Sequence, residues 1–282
     1  MPRKRFLWKL KERELQLGDR TLVAAVLNVT PDSFSDGGQF LDPDRAFGRA
    51  VELEEAGADI LDIGAESTRP GATRISEEEE LRRLVPVLKR LRGKLTIPIS
   101  VDTYKYAVAQ RALELGAEII NDPTGLTFDP QIAKAAATHD AALIVNHMRG
   151  TPDTWAKLGP VPDPVNMVLR ELDASVHRAR RAGIDPLRIA VDPGIGFGKR
   201  KEESARLITE LYHLHQLNLP LHLGPSRKSF LAQATPEGLL MGTAAAVTAA
   251  ILNGVHILRL HDVAPLIPTI QVADSLLRAR VE

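Results

Sequence analysis

Five residues capable of chemistry share one context in this chain. Ile-Leu-Asp62, Ile-Ser-Val-Asp102, Ile-Ile-Asn121, Ile-Val-Asn146 and Ile-Ala-Val-Asp192 each close a short apolar run with a carboxylate or a carboxamide. Asn28 does the same after Val-Ala-Ala-Val-Leu, where the composition turns to Pro, Asp, Ser and Gly, the mark of a buried strand running into a loop. One carboxylate at a strand end is commonly a structural cap, and Asp62 is read that way. Asp102, Asn121 and Asp192 together are read differently, because three polar groups gathered at one edge are costly to desolvate without a ligand. That ligand presents donors and acceptors along an edge, as an amide-and-guanidine heterocycle does, with Asp192 accepting two parallel hydrogen bonds. The opposite sign is set among the same loops. Arg69, Arg227, Lys228, Arg259 and His261 fall at strand ends and jointly form a cationic rim for phosphate or pyrophosphate.

Other chemistries are excluded by residue type. The chain has no cysteine, so disulfides, thiol nucleophiles and Cys-ligated metals are ruled out. Gly194-Ile-Gly196-Phe-Gly198-Lys199 fails as a nucleotide loop: Lys199 stands where a Rossmann fingerprint needs glycine, and Pro193 and Arg200 break a P-loop. Its glycines are read as letting the backbone approach a flat ligand. No His-Glu-x-x-His motif is present, which argues against zinc hydrolysis. His213 and His215 are expected on a helix surface, and spacing gives His139 and His222 no partner. Basic and acidic residues number 36 each, so no net field favours nucleic acid. No apolar run reaches membrane-spanning length, and Lys9 and Lys11 interrupt any secretory core. The expectation is a cytoplasmic protein acting on small molecules.

Positioning these residues requires a repeated unit. Residues 6–22 predict a β-hairpin about a Gly18-Asp19 turn, plugging the core away from the active face. Strands are then expected over 22–29, 60–64, 97–101, 118–121, 142–146, 188–192, 221–223 and 255–260, with helices over 43–56, 76–91, 104–115, 130–138, about 165–183, about 200–217, 243–252 and about 263–280. Pro86 predicts a kink in the second helix rather than a break. The helix at 243–252 is apolar on every side and is expected to be covered, within the subunit or by a second copy. Eight strand-then-helix units predict an α/β fold, a (β/α)8 TIM barrel, as one domain over 1–282. Short connectors enter the strands and long polar loops leave them, so the site is expected at the strands' C-terminal mouth.

The chain resembles bacterial dihydropteroate synthase, a pterin-binding enzyme family, along nearly its whole length. The resemblance is carried by Asn28-Val-Thr-Pro-Asp-Ser-Phe-Ser-Asp-Gly-Gly38, Ala65-Glu-Ser-Thr-Arg-Pro-Gly-Ala72, Ser100-Val-Asp-Thr103, Ile120-Asn-Asp122, His147-Met, Asp192-Pro-Gly-Ile-Gly-Phe-Gly-Lys199, Ser226-Arg-Lys-Ser229 and Arg259-Leu-His-Asp-Val263. It implies a transferase of folate synthesis, the sulfonamide target, that joins 4-aminobenzoate to 6-hydroxymethyl-7,8-dihydropterin diphosphate with Mg2+. It also implies that Asp102, Asn121, Asp192 and Lys228 meet the pterin, while Asn28, Arg259, His261 and Arg69 meet the diphosphate, Asn28 also the metal. Phe34, Thr68, Pro70, Phe197 and Ser229 would surround the aminobenzoate. Asp102, Lys228, Arg69, Arg259 and His261 are the implied catalytic set. Pro123 and Asn146 depart from the family pattern. A pterin-binding methyltransferase acting with a corrinoid protein, or a silent pterin-binding homologue, are the alternatives, and a homodimer is expected.

Overall fold

The computed structural model describes residues 3–30, 42–67, 74–231 and 235–279. Phe34, Thr68, Arg69 and Pro70 lie outside them. An antiparallel hairpin, β1 (Phe6–Lys9) and β2 (Glu14–Leu17), precedes eight parallel strands: β3 (Leu22–Asn28), β4 (Ile60–Gly64), β5 (Ile99–Asp102), β6 (Ile119–Asp122), β7 (Ala142–Asn146), β8 (Ile189–Asp192), β9 (His222–Leu223) and β10 (Ile257–Leu260). They pair in the order β8-β7-β6-β5-β4-β3-β10-β9, and a parallel bridge from Val191 to Leu221 joins the two ends. Among the described residues the α-helices are α1 (Pro43–Glu55), α2 (Glu77–Leu91), α3 (Tyr106–Glu114), α4 (Gln131–Thr138), α5 (Pro164–Arg181), α6 (Lys201–Thr209), α7 (Pro236–Leu252) and α8 (Val263–Ala279). The fold is the TIM barrel that the sequence predicts.

Strand alternation divides the interior by height. Leu22, Ala24, Ile60, Ile119, Ala142, Ile144, Ala190 and Ile257 form an apolar floor on which Trp8, Leu10 and Leu17 of the hairpin pack. Side chains point to one face at every second residue, so the next inward positions are Asp62, Asn121, Asn146, Asp192 and Arg259. The lower half of the barrel is therefore hydrophobic and the upper half polar.

Four expectations need correction. The hairpin turns at Leu10–Arg13, where Leu10 N–H donates to Arg13 O at 2.8 Å, and Gly18-Asp19 instead leads into the barrel. Tyr104 and Lys105 precede α3 because their side chains are held outside it: Tyr104 Oη donates to Glu66 at 2.6 Å, and Lys105 Nζ bonds Glu66 and Glu80. The stretch after Thr209 tightens into a 3-10 turn, Leu211–Leu217. Helix α7 begins at Pro236, capped by Thr235, and buries one face while Met241 is 66% exposed. Helix α2 runs unbroken through Pro86.

His256 seals the barrel's lower end in a way that titration can test. Its Nδ1 accepts from Leu221 N–H at 3.0 Å and its Nε2 faces Lys4 O at 2.9 Å, which only the neutral ring with Nε2–H satisfies. His215, far from a free surface position, is half-buried against this ring, with centroids 5.8 Å apart. Burial pushes His256 down to about 3 from its ordinary 6.5. A folded-state value below the unfolded one gives stability that is present above pH 6.5 and drains away as pH falls toward 3. Each tenfold weakening of proton binding on folding is worth about 1.4 kcal/mol. The urea midpoint should fall steadily between pH 6.5 and 4, and His256→Asn should flatten that slope.

Candidate active site

The polar half of the barrel opens into a cavity of about 1120 Å3 at the strands' C-terminal ends. Asn28, Asp102, Asn121, Asp192, Phe197, Lys228, Arg259 and His261 all line it. Register explains the convergence. Asn28 lies opposite Gly64, Gly64 opposite Asp102, and Asp102 opposite Asn121, while Asn146 lies opposite Asp192.

One guanidinium organises the floor. Arg259 donates from Nε to Asp62 at 2.5 Å and from Nη2 to Asp102 at 2.8 Å. Asp62 is 1% exposed, and Arg259 holds its carboxyl below the usual range despite the cost of burial. Asp102 shares the same cation from a weaker position. Burial pushes it up to about 7, against the pull of Arg259, with Asp62 and Glu80 adding repulsion. Two carboxylates on one cation thus divide into an ionised anchor and a group that titrates near neutrality.

A chain of amides continues the floor. Asn146 Nδ2 donates to Asn121 Oδ1 at 2.6 Å and to the carbonyl of Asp122 at 3.1 Å, and Asn121 Nδ2 donates to Asp62 at 3.3 Å. A carbonyl can only accept, so the amide of Asn146 has a single allowed orientation, and that orientation fixes Asn121. Asp122 turns away from the cavity and accepts from Thr124 N–H, Thr124 Oγ1 and Leu126 N–H at 2.7–2.8 Å. It holds the loop rather than a ligand.

Asp192 is 3% exposed and accepts from Gly194 N–H at 2.6 Å. Lys228 Nζ stands 4.1 Å from the centre of the Phe197 ring, and burial lowers it to about 8. Phe197 packs at 5.8 Å on Trp155, a cavity aromatic that spacing does not single out. Arg45 and Arg49 of α1 also line the rim. Arg227 also lines the cavity, with its guanidinium held by Asp262 in two bonds of 2.5 and 3.0 Å. His261 Nδ1 lies 3.1 Å from Ser226 Oγ. Ser229 opens a short 3-10 turn, Ser229–Leu231.

Gly194 and Gly196 line the cavity, and two of the three glycines after Asp192 also crowd the protein backbone. A Cβ on Gly194 would sit 1.8 Å from His147 O, and one on Gly198 would sit 2.0 Å from Arg149 O, both at positive φ. Lys199 Nζ binds the carbonyls of His147, Gly194 and Phe197 at 2.8–3.2 Å. The loops after β7 and β8 are thereby locked backbone to backbone, which sets Phe197. Gly194→Ala should cost at least about 2 kcal/mol, from forbidden φ and a clash with an oxygen that cannot move aside. Denaturant unfolding reads that loss.

Residues 24–261 match the family described as Pterin binding enzyme. The dihydropteroate synthase of Synechocystis sp. is 44% identical over 265 residues, covering 93% of this chain and 92% of that protein. The chain belongs to the dihydropteroate synthase family. Two solved structures of the Xanthomonas albilineans synthase share its fold. One, with 4-aminobenzoic acid, has a TM-score of 0.88 at 38% identity and covers 97% of this chain and 98% of that one. The other, in complex with 7,8-dihydropteroate, has a TM-score of 0.85 at 36% identity and covers 96% and 98%. As a family member this chain is a transferase of folate synthesis.

Proposed function

We propose that the cavity condenses 4-aminobenzoate with 6-hydroxymethyl-7,8-dihydropterin diphosphate to give 7,8-dihydropteroate and diphosphate. The observation that carries this reading is one cavity lined by Asp102, Asn121 and Asp192 together with Lys228, Arg259 and His261. A pterin has an amide-and-guanidine edge that suits the first three. Lys228 lies over that edge, against Phe197. The diphosphate lies toward Arg259 and His261, and the resemblance adds Arg69, outside the described residues, to the same role. Because Nε and one N–H of Nη2 of Arg259 face carboxylates, Nη1 and the second N–H of Nη2 are the donors left to meet a phosphate oxygen. The aminobenzoate ring lies among Phe34, Thr68, Pro70 and Phe197, its carboxylate near Ser229.

Gly64 supports a magnesium ion at Asn28. A Cβ there would lie 3.6 Å from Asn28 Oδ1, so the missing side chain leaves that oxygen room to meet a cation, while Asp102 Oδ2 is already taken by Arg259. Magnesium keeps several waters and takes one or two protein oxygens alongside substrate phosphates, and among the described residues no group of three His, Asp or Glu could hold a metal ion. Asn28 would hold the ion, which would supply charge neutralisation to the diphosphate.

The reaction is a dissociative substitution. Arg259 and His261 stabilise the departing diphosphate, so the C–O bond breaks early, and ionised Asp102 stabilises the cation left on the pterin methylene. The aromatic amine is already unprotonated and is positioned by its pocket; its nitrogen lone pair forms the C–N bond to the methylene, and one N–H proton then leaves to solvent or to the released diphosphate. Asp102 is placed at about 7, so kcat/KM should rise with pH through that region as it ionises. Asp102→Asn should remove this limb and lower kcat by roughly 100-fold; an unchanged pH profile would take Asp102 out of the mechanism. Calorimetry with the pterin diphosphate tests the site itself. Saturable binding at one site per chain is expected, and no binding by folded protein would reject it.

The same reading includes a homodimer and a cytoplasmic location. Met241 of α7 and Val272 and Leu276 of α8 are 66%, 60% and 52% exposed on two helices that pack together, an apolar surface suited to a second copy.

A further inference from the structure

We infer that His222 is the positioning residue for Asp192: it fixes the direction in which that carboxylate presents its remaining lone pairs to the pterin. The inference rests on the pterin reading of the cavity. His222 is 1% exposed and does not line the cavity; it lies behind Asp192, with Nδ1 2.7 Å from Asp192 Oδ2. Gly194 N–H takes the other oxygen, Oδ1, at 2.6 Å.

Each carboxylate oxygen has two lone pairs. One on Oδ1 is used by the Gly194 amide and one on Oδ2 by the His222 ring. Both donors come from the protein side, so the two lone pairs that remain face the cavity side by side, the arrangement that a guanidine-like edge with two parallel N–H groups requires. Gly194 alone would hold one oxygen and leave the group free to turn about Cβ–Cγ. His222 supplies the second point.

The ring is committed to this task. Its Nε2 is buried and has no hydrogen-bond partner among the described residues, so the bond to Asp192 is the one hydrogen bond that the ring makes there. A buried imidazole with one nitrogen unsatisfied is costly, and an aliphatic residue would fill the same space without that cost. The gain that offsets it is the second fixed donor to Asp192. Because His222 touches no substrate, its effect on the reaction passes through that carboxylate.

The test compares His222→Leu with His222→Asn, whose amide nitrogen lies near the position of ring Nδ1, and with Asp192→Ala. Steady-state kinetics with both substrates, calorimetry with the pterin diphosphate and urea unfolding are measured on each. His222→Leu should raise the pterin KM and Kd at least about tenfold, the effect of losing a hydrogen bond to a charged group, while the aminobenzoate KM stays within about twofold. His222→Asn should recover most of the pterin affinity. A folded His222→Leu with unchanged pterin KM, or with both KM values raised alike, overturns the inference. If Asp192→Ala loses pterin affinity and His222→Leu does not, only the role of His222 falls; if Asp192→Ala keeps it, the pterin reading falls as well. Should the leucine variant not fold, nitrogen NMR of the unaltered protein decides. The His222 Nδ1 resonance should move on addition of the pterin diphosphate, and a stationary resonance overturns the inference.

Discussion

Replacing Arg259 by methionine should destabilise the protein by about 3–5 kcal/mol and abolish turnover, because it leaves buried carboxylates without their cation. The side chain of Asp62 is 1% exposed, whereas that of Asp102 is 14% exposed on the cavity wall, so the loss of the guanidinium falls hardest on Asp62. Asp102 already sits near 7 with Arg259 present and would become neutral; Asp62 has no such relief. Adding Asp62→Asn to the Arg259 variant should therefore recover much of the lost stability and none of the activity. That split separates the two roles of the arginine, holding the barrel floor together and meeting the diphosphate. A single variant that unfolds at the same urea concentration as the parent would show that the floor does not depend on this cation.

Asp192→Ala should weaken pterin binding by about 2–5 kcal/mol, the usual loss when one partner of a buried charge-paired contact is removed. The carboxylate contributes twice, as acceptor for the ligand and as acceptor for Gly194 and His222. Its loss leaves those two protein donors unpartnered as well. Binding of 4-aminobenzoate, proposed to lie against Phe197, should be affected less. Calorimetry against the pterin diphosphate measures the effect, and undiminished binding would remove Asp192 from the pocket.

Much of this site is legible in the sequence for one physical reason. Parallel strands that end in a polar residue after an apolar run must send those residues to one rim, and the register of Asp102 with Asn121 and of Asn146 with Asp192 does so. Asp62 reads as structural, and its buried contacts with Arg259 and Asn121 agree. What the sequence hides are contacts between segments distant along the chain. His222 has no local partner because its partner is 30 residues earlier, reached through a bridge of single residues at Val191 and Leu221. Its one signal is spacing: it lies two residues before Gly224, itself on the cavity wall, and so shares its inward face. The sequence reads Gly194 and Gly196 as cavity-facing, and both line the cavity; it hides the carbonyls of His147 and Arg149 that crowd Gly194 and Gly198, because those belong to another loop. Gly18-Asp19 looks like the hairpin turn by composition, yet the polar Lys-Glu-Arg run supplies the turn without glycine.

The most direct test incubates the protein with 6-hydroxymethyl-7,8-dihydropterin diphosphate, 4-aminobenzoate and magnesium while free diphosphate and 7,8-dihydropteroate are measured together. Stoichiometric appearance of both, dependent on the amine, is the predicted result. Folded protein that binds the pterin but yields neither product, or that releases diphosphate without coupling the amine, would contradict it.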